Sequence, residues 1–261
     1  MLLAVNWEQK MNKKRFNGKF AYKKDIGKVR IANEDDAKVL INSKGDLLMM
    51  VADGMGGANE GDYASSEIIK RLTESFNNKK CFHNLFEIRT WIVHTLRKLN
   101  KEIYNLSESN SDYKGMGSTV IIAFLFKNKL IIANAGDSRA YILNRRKFIQ
   151  VSEDHTYVNY LYNSGQIKKE DIKVHPSRHV LTNAIGIYPS LSVEFKILNY
   201  NKEAILLCSD GLYNNLKEND IENILRTDED INTKVSNLIN VANYNGGSDN
   251  ISIALWECLD D

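Results

Sequence analysis

Four strand-like runs follow one another with almost nothing between them: STVIIAFLFKN (118–128), KLIIANAGD (129–137), SRAYILN (138–144) and KFIQVS (147–152). The joints, at Lys127 to Lys129 and Asn144 to Arg146, have room only for turns. A parallel crossover needs a dozen or more residues, so neighbours in this stretch must pair as hairpins, and the sheet they build is antiparallel. VIIAFLF is apolar on both of its faces, the pattern of a strand whose sheet is covered on each side, by a second sheet within and by helices outside.

The rest of the chain fits around that block. FAYKKDIGKVR (20–30) reads as a first strand, and AKVLIN (37–42) and LLMMVAD (47–53) as a hairpin around Ser43 to Asp46. Helical periodicity covers about 60–77 and 82–106; in the second, Leu85, Ile88, Ile92, Leu96, Leu99 and Ile103 form one apolar stripe. A mixed stretch, 153–190, precedes strands at 192–199 and 203–210, helices at about 218–226 and 230–243, and a last strand at 250–257. Strands in groups and helices in groups indicate an α+β layered fold rather than a doubly wound sheet. No repeat, linker or composition break divides the 261 residues, of which 43% are hydrophobic, so one domain over 20–257 is expected after an N-terminal extension, 1–19.

Charge and cysteine content narrow the function. A net charge of +2 gives no global field for nucleic acid or an anionic membrane, and the basic stretch QKMNKKRFNGK (9–19) reads as a solvated arm. Cys81, Cys208 and Cys258 are odd in number and widely spaced, which argues against a disulfide framework and a zinc ribbon and favours the cytoplasm. MLLAVNW lacks the basic flank and cleavage site of a signal peptide, and no segment approaches about 20 uninterrupted apolar residues.

The chemistry is expected where apolar strands end in acids. Asp53 follows LLMMVA, Asp137 follows KLIIANAG, Asp210 follows AILLCS, and Asp249 precedes ISIALW; in three of the four the acid adjoins a glycine. Any one of these is an ordinary Asp-Gly turn signal. Four together, each at the mouth of a hydrophobic strand, would repel one another unless cations lay among them, and all-oxygen ligand sets favour the hard ions Mg²⁺ or Mn²⁺. Two rivals fail. Gly54, Gly56, Gly57 and Gly61 do not have dinucleotide-loop spacing and no βαβ unit follows, while the Ser of GDS (136–138) lies between strands and not on a strand-to-helix elbow.

Taken in order, GKVRIANEDDA (27–37), VADGMGG (51–57), GMGSTV (115–120), NAGDSRAYIL (134–143), SEDHTYVNYLYNSGQI (152–167), HPSRHVLTNAIG (175–186), LLCSDGLYNNL (206–216) and GGSDNISIAL (246–255) resemble the metal-dependent serine/threonine protein phosphatases, the PPM or type 2C family, in its bacterial form. The resemblance runs from about Phe20 to Trp256. It implies a four-layer α-β-β-α sandwich of two central, mainly antiparallel sheets flanked by helices, with metals at one edge. It further implies that Asp53 bridges two core ions, that the Gly54 carbonyl, Asp210 and Asp249 complete their shells, that Glu34 and Asp35 act largely through water, and that Asp137 with Asp210 holds a weaker third ion. Arg30 matches the arginine that grips the substrate phosphate, a bidentate task at which lysine is a poor substitute. The implied reaction is hydrolysis of phosphoserine or phosphothreonine by metal-activated water, opposing a Ser/Thr kinase, in a monomer that engages neither nucleic acid nor membrane.

One residue departs from the animal members, which carry a histidine directly after the Asp-Gly. Here Met55 stands there and cannot donate a proton to the leaving alcohol. Water or one of the loop histidines, His155, His175 or His179, is left for that role, and residues 153–190 resemble the variable flap beside the active site. A phosphoprotein-binding scaffold and a phosphatase of small esters would share this frame, although substituted acids would mark the scaffold and none is substituted.

Overall fold

A computed structural model describes residues 16–56, 60–79 and 81–259. Two sheets stack between two helical layers. One sheet has the order β2 (Asp35–Ile41), β3 (Leu47–Met55), β5 (Val120–Phe126), β6 (Lys129–Ala135) and β9 (Glu194–Asn199), with the short β4 (Gly117–Ser118) beside the end of β3. The other runs β1 (Gly18–Asp25), β11 (Ile251–Cys258), β10 (Ala204–Cys208), β7 (Arg139–Leu143) and β8 (Phe148–Gln150). Every strand pairing is antiparallel, as the back-to-back runs require. Helices α1 (Glu60–Asn78) and α2 (Leu85–Ser109) cover the first sheet; α4 (Asp210–Tyr213), α5 (Glu218–Leu225) and α6 (Ile231–Tyr244) cover the second.

Strand alternation distributes the core. Along β3, Leu47, Met49 and Val51 face the other sheet, where Ile205, Leu207, Ala254 and Trp256 meet them, while Leu48, Met50 and Ala52 face α1 and α2. On the far side Leu206, Cys208, Ile253 and Leu255 pack under the α4 to α6 layer. Since side chains two apart share a face, Asp53 continues the inward row of β3 and Asp35 the inward row formed by Ala37 and Val39 on β2. The acids therefore stand where the apolar filling between the sheets runs out.

The structure redraws several expected boundaries. β1 spans 18–25, so 26–34 is a loop and Arg30 is not on a strand. Its turn begins with Gly27 at φ +78, whose amide bonds the Asp25 carboxylate at 2.9 Å. β10 stops at Cys208 rather than running through Asp210, because Ser209 turns the chain: its amide donates to Ser252 O at 3.1 Å and its Oγ accepts from the Ser252 amide at 2.9 Å. Asp210 then opens the single turn of α4. Within 153–190 lies α3 (Tyr157–Asn163), capped by Thr156. The expected run 129–137 ends as a strand at Ala135, which leaves Asp137 in the turn before β7. Residues 1–15 of the expected extension lie outside the described residues.

Candidate active site

The edge where the sheets part is tied together by buried polar side chains. Asp35 and Asp53 are register partners across β2 and β3, so their side chains emerge side by side. Asp53 is held through its backbone: its amide donates to Thr119 Oγ1 at 3.1 Å, and its carbonyl accepts from the Thr119 amide at 2.8 Å and from Ser118 Oγ at 2.9 Å. Across the sandwich Ser209 Oγ donates to Asp35 Oδ2 at 2.6 Å, which joins the end of β10 to the start of β2. Asn250 anchors the Arg30 loop to β11: its Nδ2 donates to the carbonyls of Ile26 and Ala32, each at 2.9 Å, and its Oδ1 accepts from the Glu34 amide at 2.9 Å. Arg30 Nη2 donates to Asp249 Oδ2 at 2.8 Å, and its side chain stays about half exposed.

Close backbone approach explains the glycines. Gly54 donates its amide to Glu34 O at 3.0 Å, and a Cβ placed there would lie 2.1 Å from Gly61 O and 2.5 Å from Glu34 O. Any side chain at 54 would thus push α1 and the 26–34 loop off the end of β3. A Cβ on Gly211 would lie 2.0 Å from Asn250 O, so the turn into α4 is equally closed to larger residues.

Electrostatics show which acids share a field. Burial, followed by Asp35, Asp210, Asp137 and Asp249, drives the Asp53 carboxyl far above the ordinary carboxylate range. Asp210 is driven up likewise, by burial and then by Asp137, Asp249 and Asp35, with Arg30 opposing. Burial pushes Asp35 up to about 7 against the hydrogen bond it accepts from Ser209 and the nearby Ser252 hydroxyl, and burial with Asp154 pushes Asp137 up to about 6. Glu34 rises mainly through burial, with Glu60 and Asp249 adding to it. Arg30 is raised chiefly by its bond to Asp249. Such a collection of buried carboxylates is costly without positive charge among them.

The donor set suits a hard cation. Glu34 Oε1, Asp35 Oδ1 and Glu60 Oε2 are buried and accept no hydrogen bond, and the other side-chain donors of the group are carboxylates as well. Among the described residues no three His, Cys, Asp or Glu side chains close around one point, so an ion here would draw on carbonyls and water as well as side chains.

Of the loop histidines, His155 is fully engaged. Its Nδ1 accepts from the Gly136 amide at 3.1 Å and lies 3.0 Å from Asn183 Nδ2, and its Nε2 faces Glu194 Oε2 at 3.0 Å. It ties the turn before Asp137 to the 153–190 segment. His175 Nδ1 accepts from the Ser177 amide at 3.1 Å. His179 feels Asp249, but burial and Arg178 hold it below its ordinary value. Sequence reasoning missed Glu60, Thr119, Ser209, Tyr213 and Asn250. Each is a common polar residue whose role depends on a partner far along the chain, although Ser209 and Tyr213 flank Asp210 and Asn250 follows Asp249 in runs already singled out.

Comparison with known proteins bears on this arrangement. Residues 28–254 match the family model described as Protein phosphatase 2C. The chain is 37% identical over 237 residues to the serine/threonine phosphatase stp of Listeria monocytogenes, covering 90% of this chain and 94% of that one. It is 32% identical over 232 residues to the protein phosphatase PhpP of Streptococcus pneumoniae, covering 88% and 94%. Among solved structures, the serine/threonine phosphatase of S. agalactiae superposes with a TM-score of 0.88 at 32% identity, over 93% of this chain and 100% of that one. Stp1 of Staphylococcus aureus gives 0.87 at 30% identity, over 98% and 100%. With the fold, the strand-end acids and these likenesses in agreement, the chain belongs to the protein phosphatase 2C family and is a metal-dependent serine/threonine phosphatase of that class.

Proposed function

We propose that the edge between the sheets is the catalytic centre, in which Asp53, the Gly54 carbonyl, Asp210 and Asp249 hold two core divalent ions, Mg²⁺ or Mn²⁺. Glu34 and Asp35 support them through water, and Asp137 with Asp210 holds a third, weaker one. The observation that carries this reading is that acids from both sheets, at positions up to 214 residues apart, act on two shared carboxyls: burial and then Asp35, Asp210, Asp137 and Asp249 raise Asp53, and burial and then Asp137, Asp249 and Asp35 raise Asp210. When bound, the ions supply a nucleophilic water near neutral pH and charge stabilisation at the phosphoryl oxygens.

The chain's own residues do the rest. Arg30, half exposed and oriented by Asp249, presents its free guanidinium edge to the phosphate of an incoming phosphoserine or phosphothreonine. Thr119, Ser118 and Asn250 fix the backbone that carries the carboxylates, so little reorganisation accompanies substrate binding. Met55 has no proton to give, both nitrogens of His155 are occupied, the His175 Nδ1 accepts from the Ser177 amide, and burial with Arg178 disfavours the charged form of His179; water is the proton donor we assign to the leaving alkoxide. The substrates are phosphorylated proteins of the cytoplasm, where the enzyme opposes a Ser/Thr kinase and acts as a monomer. No helix among the described residues is long and apolar enough to cross a membrane.

The test is turnover of a phosphothreonine peptide. Wild type should be active with Mn²⁺ and silent with chelator. Asp210→Asn should lose at least about 100-fold in kcat/KM, and Arg30→Lys about tenfold, mostly through KM. Turnover that survives chelation would refute the metal reading; binding without turnover would make the protein a scaffold.

A further inference from the structure

Tyr213 stands between two of the acids without being one of them. It lies one turn after Asp210 on α4, so the two residues share a face, and its hydroxyl donates to the Asp137 main-chain carbonyl at 3.1 Å. Asp137 and Asp210 both act on its phenol, which burial and these two carboxylates hold in the neutral form. The ring is pinned from behind: the Arg139 guanidinium lies 3.5 Å from its centroid.

Arg139 is itself immobilised. It forms a forked ion pair with Asp154, Nε to the two carboxylate oxygens at 3.1 and 3.0 Å and Nη2 to Oδ2 at 2.6 Å, and its Nη1 donates to Tyr141 Oη at 3.2 Å. Asp154 in turn accepts from Gln150 Nε2 at 2.7 Å. The fork is largely buried, which keeps water from competing for it. The result is a continuous strut from β8, through Asp154, Arg139 and Tyr213, to the Asp137 carbonyl. Asp137 needs such support because it sits in a turn rather than a strand, after Gly136 at φ +123.

We infer that Tyr213, braced by Arg139 and Asp154, is a positioning residue that sets the Asp137 carboxylate opposite Asp210 and thereby fixes the affinity of that pair for a divalent cation. Its hydroxyl bonds the Asp137 carbonyl and so sets the span between two proposed ligands on separate elements. The inference rests on the proposed reading of the carboxylates as cation ligands. It also separates the weaker ion from the core pair, whose ligands Asp53 and Asp249 are held by other bonds.

Mn²⁺ binding to the full-length protein, by calorimetry and by electron paramagnetic resonance, tests it. In Tyr213→Phe, which keeps the ring under Arg139 and removes only the hydroxyl, the tight sites should bind as in wild type while the weakest Kd rises about three- to tenfold. The Mn²⁺ concentration for half-maximal turnover should rise in step, with kcat at saturating Mn²⁺ near wild type and the melting temperature in chelator lowered by no more than about 4 °C, the cost of one lost hydrogen bond. Arg139→Lys, which loses the fork and the planar stack, should move the same Kd in the same direction. Wild-type affinity at every site in both variants, while Asp137→Asn weakens one site, would overturn the strut and leave the carboxylate reading standing. Unchanged binding in Asp137→Asn and Asp53→Asn as well would overturn both.

Discussion

Asp35 and Asp137 carry the sharpest consequence at the scale of single residues. Burial pushes their folded carboxyls up to about 7 and about 6, against an ordinary aspartate value of 3.8, and Asp53 and Asp210 are shifted in the same direction. A carboxyl whose proton affinity is raised by folding stabilises the native state fully below its unfolded pKa and loses that contribution as pH rises through its folded pKa. The metal-free protein should therefore melt lower as pH is raised from about 5 to 7.5, by roughly 5–10 °C, and saturating Mn²⁺ should restore the loss increasingly at the higher pH, where protons no longer compete for the carboxylates. Calorimetric scans with chelator and with Mn²⁺ across that range measure it; a metal-free melting temperature that rises with pH would contradict the charge assignment. Asp53, Asp137, Asp210 and Asp249 stand out in the sequence as carboxylates at the ends of apolar strands, whereas Glu34 and Asp35 are singled out only through the family resemblance. Asn250 and Ser209 are not singled out, since one ties the 26–34 loop to β11 and the other joins the two sheets through Asp35, and nothing local marks either partner.

Among the elements, the strand interiors could be read and their ends could not. VIIAFLF announced a strand buried on both faces, and all seven residues of β5 are buried. LLMMVAD named the strand that delivers Asp53. By contrast, residues 26–30 read as the end of the first strand, 20–30, because that run alternates; in the fold Val29 is 68% exposed, and the 26–34 segment is a loop shaped by Asn250 and by the glycine turn at 27. α4 was not anticipated, and its first residue, Asp210, read as the end of a strand, because periodicity cannot show that Ser209 turns the chain. Close packing of β3, α1 and this loop at Gly54 makes one prediction. Gly54→Ala should lower the melting temperature by roughly 4–8 °C, for about 2 kcal/mol of overpacking, and should abolish most turnover, because the displaced loop carries Glu34 and Arg30. Thermal melting and a phosphopeptide assay on the same preparation check both halves, and a variant that melts and turns over like wild type would refute the contact.

For the whole molecule, the four layers explain why the site lies where it does. Three apolar interiors, one between the sheets and one under each helical layer, hold the sheets rigidly. The middle one ends in carboxylates, so packing between the sheets positions mutually repulsive charges. Hairpin connectivity told the sheets from sequence, and the grouping of helices told the layers. Which strand ends share an edge depended on pairing order, β2-β3-β5-β6-β9 against β1-β11-β10-β7-β8, and this came from resemblance and then from the structure. The most direct test of the account is crystallography of the Mn²⁺-soaked protein with anomalous data collected at the manganese edge. Two strong peaks are expected among Asp53, the Gly54 carbonyl, Asp210 and Asp249, both absent from Asp53→Asn. Peaks elsewhere on the surface, or none in crystals of an enzyme active with Mn²⁺, would contradict it.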